Sequence, residues 1–492
     1  MRQYTGLGTV ALLSLVISCG AGCSASEDDA DSSEDAISAG DANAALEIHA
    51  LDIWARALDA KDVKLTVARD GRPVRIQPLQ TTTVYLKESG SYTLHLEAPQ
   101  HEPLDLTVNY NGGDATIEGK DGAYSLSHTQ LPVAGRNLPA HVLYMGLRHK
   151  WFSSEGRPAR HGNSVKFMMD GEEAWGTVRR ELVKSTKEVL VSTWWWESDF
   201  ELQRSPIGAS SAERWSKTIL GTLEAIPSQK KVLVGEFIGQ DTLFSLLNTD
   251  SKLRAHATKT GDRFEMMSQA NETRGKFRFE IPAFPFGDRV KKAIPDALPF
   301  AMNGQVVSSV PPHDVDITQL GFDVPLASYH QKFMVVDHDV AFVGGMNLKA
   351  ADWDTSRHEV YEEQRMDIGA FDVTRELVAT KHRHPDTGPR KDYMVRVEGP
   401  AAEDVADVFH ERWDNLRQIR AKHSEVTTPF AVSHDIAPRA GGIDVQVTAT
   451  LPSPFKEHAI AETWFNAVQN AEKFIFIEDQ YFRMPMINDA IA

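Results

Sequence analysis

A small all-β domain followed by a larger α/β domain is the architecture this sequence predicts, and three observations predict it. Between about residues 46 and 135, short runs such as "VKLTVA", "SYTLHLEA" and "LDLTVNY" alternate apolar and polar residues. Turn signals ("RDGRP", "ESGS", "NYNGGD") separate them at the ~8–12-residue spacing of a β-sandwich. From about residue 140 the pattern becomes strand, helix, strand: "NSVKFMMD", "GEEAWGTVRRELVKS", "KEVLVSTWWW", then "AERWSKTILGTLEAI" and "KKVLVGEF". Such alternation builds a mixed, mostly parallel sheet flanked by helices. Finally, 492 residues exceed one compact core, so two or three domains are expected.

The chain opens on a targeting pattern. Arg2 supplies a short positive region, "TVALLSLVIS" an apolar one, and small residues follow. The apolar run is too short to span a bilayer. "VISC" resembles a bacterial lipobox with Cys19 as the lipidated residue; "GAGC", ending at Cys23, lacks the bulky aliphatic residue three places earlier. A plain secretory signal is the alternative. Residues 1–23 are thus expected to be a lipoprotein or secretory signal, and the protein to be exported. It is expected at the bacterial cell envelope, facing the outer membrane or periplasm and held to a membrane by its N-terminal lipid, or else secreted. Cys19 and Cys23 are the only cysteines, so the folded body has no disulfide. Residues 24–45 read as an acidic linker.

The domain at 46–135 holds no catalytic cluster and reads as an accessory module, a spacer or a surface-binding domain. Residues 240–325 carry prolines and loops and are expected to leave the sheet as an excursion over its edge. The net charge of −17 argues against nucleic acid as a partner, because displacing counterions needs a basic surface.

Chemistry concentrates in "HQKFMVVDHDVAFVGGMN". His330, Lys332 and Asp337 form H-x-K-x4-D, followed by Gly344, Gly345 and Asn347. On a strand, positions i and i+2 share a face, so His330 and Lys332 are delivered side by side. An imidazole can be the nucleophile in phosphoryl transfer while an ammonium neutralises the phosphoryl oxygens. The glycines permit close backbone approach, and the asparagine amide can donate to a further oxygen.

On these residues the sequence resembles the phospholipase D superfamily, over roughly residues 140–482. "FVGGMNLKAADWDTSRH", "RKDYMVRVEGPAAEDVADVFHERWD" and "AETWFNAVQNAEKFIFIEDQYF" are similar to further family segments. The resemblance implies a first lobe at 140–425 and the start of a second, incomplete one at 440–492. It implies His330 as nucleophile through a phosphohistidine, with Lys332 and Asn347 holding the phosphoryl group and Asp392 as the carboxylate that orients the imidazole. Asp337 is expected to be structural. No cofactor and no catalytic metal are implied. The substrate expected is a phospholipid headgroup ester, hydrolysed or transferred to another alcohol. The alternatives are a phosphatidyltransferase or other phosphodiesterase of the superfamily, and an inactive envelope lipoprotein with a binding role.

Family members carry two such motifs, and a second H-x-K does not occur in this sequence. The chain is therefore expected to be inactive alone, its missing half belonging to a longer product, unless it is a degenerate relative or borrows a second chain. Three further clusters invite a functional reading. "PPHDVD" (His313, Asp314, Asp316) and "KHRHPD" (His382, His384) are expected to be solvated loops, since no matching ligand motif lies nearby. "TWWW" (Trp194 to Trp196) is expected at a strand's C-terminal end, lining a site mouth or packing its rim. Glu478 is expected on a strand near the cleft.

Overall fold

The computed structural model describes residues 41–492, apart from 75–81, 121, 134, 237–248, 261–262, 271–275, 283–299, 303–304, 308–318, 326–328, 367–371, 419–427, 431–434, 453 and 480–484. The expected signal with Cys19, most of the expected acidic linker, and His313, Asp314 and Asp316 lie outside the described residues. The chain divides into two compact units, Met1–Leu147 and Arg148–Ala492.

The first unit is all-β: β1 (Ala44–Asp52), β2 (Lys64–Arg69), β3 (Arg72–Val74), β4 (Thr82–Leu86), β5 (Gly90–Glu97), β6 (Leu104–Tyr110), β7 (Ala115–Gly119), β8 (Gly122–Tyr124), β9 (Ser127–Val133) and β10 (Arg136–Leu147). They form a four-stranded sheet, β4-β1-β10-β9, and a six-stranded one, β3-β2-β5-β6-β7-β8. Period-2 burial explains the pairing. Tyr92, Leu94 and Leu96 of β5 meet Leu46 and Ile48 of β1 in one core, while the residues between them point outward. Each fully buried apolar side chain of this kind contributes ~1.5–3 kcal/mol. The "RDGR" turn places Asp70 and Gly71 at positive φ, as a tight hairpin requires. The unit ends at 147, beyond the expected 135, because β10 pairs in parallel with β1 instead of opening the next domain.

The second unit is built on an eight-stranded sheet. Its elements run β11 (Arg160–Met169), α1 (Asp170–Leu182), β12 (Glu188–Thr193), α2 (Ser211–Ser216), α3 (Ile219–Ala225), β13 (Gln229–Glu236), α4 (Ser251–Thr260) and β14 (Phe264–Ala270). A separate four-stranded sheet follows, from β15 (Lys276–Pro282), β16 (Phe300–Met302), β17 (Gln305–Val307) and β18 (Gln319–Pro325). The main sheet resumes with β19 (Phe333–Val336), β20 (Val340–Gly344), α5 (Asp372–Ala379), β21 (Tyr393–Glu398), α6 (Ala401–Gln418) and β22 (Ile443–Val445). The chain then forms β23 (Thr450–Leu451), β24 (Glu457–His458), α7 (Ala459–Gln469) and α8 (Pro485–Ile491).

The order β14-β13-β12-β19-β20-β21-β11-β22 makes the sheet mixed but mostly antiparallel. Only β12–β13 and β13–β14 run parallel. The helix–strand alternation forecast those pairings correctly, but β19–β20 is a hairpin, and hairpins impose antiparallel neighbours. Part of the expected excursion is also the sheet itself, since β14 is its edge strand.

Both faces of the sheet are covered. On one, Ala174, Trp175, Val178 and Leu182 of α1 recur at helical spacing and pack with Val191, Met334 and Phe342. On the other, Val405, Phe409, Trp413 and Leu416 of α6 pack on Leu190, Phe333 and Val335. Consequently all four residues of β19, "FMVV", are buried, as in a central strand covered on both sides. The strand expected through "FIFIED" is absent: residues 474–479 have no regular structure, and no neighbouring strand among the described residues takes up their backbone groups.

Candidate active site

His330 and Lys332 sit in the extended segment that leads into β19, just before the strand proper. The alternation expected of a strand already operates there. Gln331 points toward α6, where buried Arg412 donates to its Oε1 at 2.7 Å and lies over the ring of Tyr329 at 4.7 Å. His330 and Lys332 therefore project together from the other side. Lys332 Nζ lies 3.0 Å from His330 Nδ1 and donates to the His330 carbonyl oxygen at 2.8 Å. The Trp194 ring stands beside the imidazole, centroids 5.2 Å apart.

This placement sets the charges. His330 is exposed at the residue level, but the protein packed around its ring, and then the Lys332 ammonium, push its pKa down to about 4. Lys332 is 7% exposed, beside a small cavity lined by Trp175, Met334, Phe342 and Met346; burial lowers its pKa to about 8. Asp352 opposes both shifts. Near pH 7 the site thus pairs a neutral imidazole with an ammonium, the states that attack on phosphorus and charge neutralisation require.

Asn347 is fixed by Asp352, whose Oδ2 accepts from the Asn347 backbone at 3.1 Å and from its Nδ2 at 2.7 Å. Arg390 donates to the other carboxylate oxygen at 2.8 Å. The Asn347 Oδ1 is buried without a hydrogen bond. Asp352 and Arg390 are site residues that the sequence reading missed. The signal was a carboxylate five residues past the asparagine, which has no meaning until the loop folds back.

Asp392 immediately precedes β21. Its backbone carbonyl accepts from Asp170 N at 2.8 Å, and its Oδ1 accepts from Tyr393 N at 2.7 Å. Burial raises its pKa, with Asp352 adding to the rise and Lys332 opposing it. No hydrogen bond joins Asp392 to His330 among the described residues, so its charge acts on Lys332 rather than on the imidazole. Gly344 and Gly345 also differ from expectation, because what approaches them closely is β21. A Cβ at Gly344 would meet Tyr393 O at 2.5 Å, and one at Gly345 would meet Asp392 Oδ1 at 2.3 Å.

Asp337 lies at the other end of β19. It accepts from Ser185 Oγ at 2.7 Å and from the backbone of Thr186, Lys187 and Glu188 at 2.9, 2.9 and 3.0 Å. Burial alone would raise its pKa, but these donors hold it below the ordinary aspartate value. Asp354, in the "WDT" segment, is fully buried and accepts from His358 Nδ1 at 3.0 Å and Arg390 N at 2.8 Å. Of the tryptophans, Trp194 and Trp195 are half-buried at the rim and Trp196 is core. His382 and His384 are on an exposed loop. Glu478 is exposed and accepts from Tyr393 Oη at 2.8 Å.

The site is thus a histidine–lysine pair presented at one end of a mixed α/β sheet. Residues 309–441 match the family model described as Phospholipase D. Over that segment the chain is similar to the phospholipase D family. It is 28% identical over 197 residues to phospholipase D alpha 1 of Brassica oleracea var. capitata, covering 32% of this chain and 24% of that one. It is 28% identical over 196 residues to phospholipase D alpha 2 of Arabidopsis thaliana, with the same shares. The chain thus spans about a quarter of the length of these relatives. Among solved structures it is similar to a phospholipase D family member, Nuc from Salmonella typhimurium, at 10% identity and a TM-score of 0.23, covering 51% of this chain and 95% of that one.

Proposed function

We propose that this chain carries the nucleophilic half of a phospholipid phosphodiesterase centre. The observation that supports this most is the contact between neutral His330 and the partly desolvated Lys332 ammonium, 3.0 Å apart. At rest Lys332 donates to Nδ1, which keeps the ring hydrogen of a neutral imidazole on Nε2. An arriving phosphodiester draws the ammonium to its oxygens. The ring hydrogen then moves to Nδ1, and Nε2 gains the lone pair. That pair attacks phosphorus, an N–P bond forms, and the P–O bond to the headgroup alcohol breaks with its electron pair leaving on oxygen. Water or another alcohol then attacks the phosphohistidine, and the N–P bond breaks with its pair returning to Nε2. The proton lost by the attacking group balances the one the departing headgroup oxygen takes up, both exchanged through solvent. Lys332 and the Asn347 amide neutralise the oxygens throughout. Asp392 and Asp352 tune Lys332.

The matched relatives are phospholipases D by name, which favours phospholipid as substrate, as does the acidic net charge of −17. Export as a lipoprotein anchored through Cys19 fits the same substrate. Choline release from phosphatidylcholine vesicles is the test, with His330→Ala as control. Release above that control supports the reading. Background release from both shows that this half does not turn over phosphatidylcholine alone, and a burst from an activated diester, absent in His330→Ala, then decides whether His330 is the nucleophile.

A further inference from the structure

We propose a zinc site at Glu188, His338 and His410, with water in the fourth position, at the end of the sheet away from His330. The three residues come from separate elements: the first position of β12, the turn between β19 and β20, and the middle of α6. Their facing nitrogen and oxygen atoms lie within 4.8 Å of one another. Glu188 and His338 are buried and His410 half-buried.

Two unsatisfied groups point to a missing ligand. Glu188 is 0% exposed, yet its Oε1 has no hydrogen-bond partner, and the buried Nε2 of His410 has none either. A buried polar atom left unpaired costs ~1–3 kcal/mol, so two in one cluster call for an explanation. A proton shared between His338 Nε2 and Glu188 Oε2, 2.8 Å apart, satisfies those two atoms and leaves both others orphaned. A cation bound by all three residues satisfies the whole group.

The outer contacts are those of metal-bound histidines, whose second nitrogen meets a carboxylate that fixes the tautomer. His338 Nδ1 lies 2.9 Å from Glu403 Oε2, and His410 Nδ1 lies 3.7 Å from Asp407 Oδ1. In both rings Nε2 is the nitrogen left for the gap. The backbone is committed to the same placement: Asp337 and His338 both have positive φ, at 51° and 62°, and the Asp337 bonds to residues 185–188 hold that turn. The Phe430 ring, 4.0 Å from that of His410, closes one side with an apolar wall.

The donor set selects the metal. Two imidazoles and one carboxylate suit zinc, whereas calcium and magnesium take oxygen ligands. Donors bound at ~2.0–2.1 Å around a tetrahedral zinc lie about 3.3 Å apart. That spacing falls between the 2.8 Å His338–Glu188 pair and the 4.8 Å outer limit, so side-chain shifts suffice. Bound there, the metal ties β12, the β19–β20 hairpin and α6 together.

The test uses the full chain, stripped with a chelator and titrated with Zn²⁺ alone, with Co²⁺ as a spectroscopic probe. One tight equivalent per chain, a raised melting temperature, and the d–d bands of four-coordinate cobalt with nitrogen and oxygen donors are expected. His410→Ala, which leaves the His338–Glu188 pair intact, is expected to fold normally and bind zinc at least tenfold more weakly. Glu403→Gln is expected to weaken binding by ~10–100-fold. No tight equivalent, or equal affinity in wild type and His410→Ala, overturns the site and leaves a protonated ion cluster only.

Discussion

Lys332 Nζ touches His330 Nδ1 at 3.0 Å while donating to the same residue's carbonyl oxygen at 2.8 Å, so at rest the ammonium is held by the residue it serves. A phosphate-like oxyanion competes for that ammonium. Its arrival is expected to release the Nδ1 contact and shift the His330 ring signals in an NMR titration with tungstate. Binding without such a shift contradicts the coupling.

The pH dependence follows from the two lowered pKa values. His330, with a pKa of about 4, is neutral above that value, and Lys332, with a pKa of about 8, is charged below it. Tungstate affinity is therefore expected to fall as pH rises through about 8, by roughly tenfold per unit at most. Lys332→Met is expected to bind weakly throughout and to lack this alkaline limb. Isothermal titration at several pH values decides it.

Asp352→Asn tests the support beneath Asn347. The Asp352 carboxylate raises the pKa of both His330 and Lys332 against the prevailing shift, so removing its charge lowers both. The alkaline limb is expected to move to lower pH. Oxyanion affinity is expected to drop several-fold because Asn347 and Arg390 lose a charged acceptor. An unmoved limb contradicts the assignment.

Gly345→Ala places a Cβ 2.3 Å from Asp392 Oδ1. Overpacking of this kind costs about 1–3 kcal/mol. Because the colliding atom belongs to a side chain, Asp392→Ala in the same chain is expected to recover most of the loss in urea unfolding. Additive losses would put the strain in the β21 backbone instead.

How much of this was legible in the sequence depended on the range of the interaction. Alternation in β5 and β6, the helix of Ala174 and Val178, and the pairing of His330 with Lys332 are set by neighbours a few residues apart, and period reveals them. The sheet's direction was not legible, because antiparallel pairing of β12 with β19 joins residues 189–192 to 333–336 across an intervening sheet. The Asn347–Asp352–Arg390 network and the fit of Gly345 against Asp392 depend on the loop after β20 meeting the start of β21, which no local pattern encodes. The carboxylate expected to orient His330 is displaced for the same reason: Asp392 precedes β21, two strands over from β19, and its charge reaches Lys332.

Asp337 separates structure from chemistry. Its carboxylate accepts three backbone N–H groups and a hydroxyl ahead of β12, so Asp337→Ala leaves those donors unpaired. A loss of about 2–3 kcal/mol is expected in urea unfolding. Tungstate affinity of the folded protein is expected to stay within about twofold of wild type, since the site lies at the other end of β19. A collapse of affinity without a loss of stability would make Asp337 part of the site.

The central claim is that His330 is the nucleophile, and an activated diester tests it without requiring a general acid. With bis(p-nitrophenyl) phosphate the leaving group needs no proton, so attack by His330 alone suffices. A burst of one p-nitrophenolate per chain, with an alkali-stable, acid-labile phosphoryl adduct mapped by mass spectrometry to His330 and absent from His330→Ala, is the predicted result. An adduct on another residue, or an equal burst from His330→Ala, would contradict it.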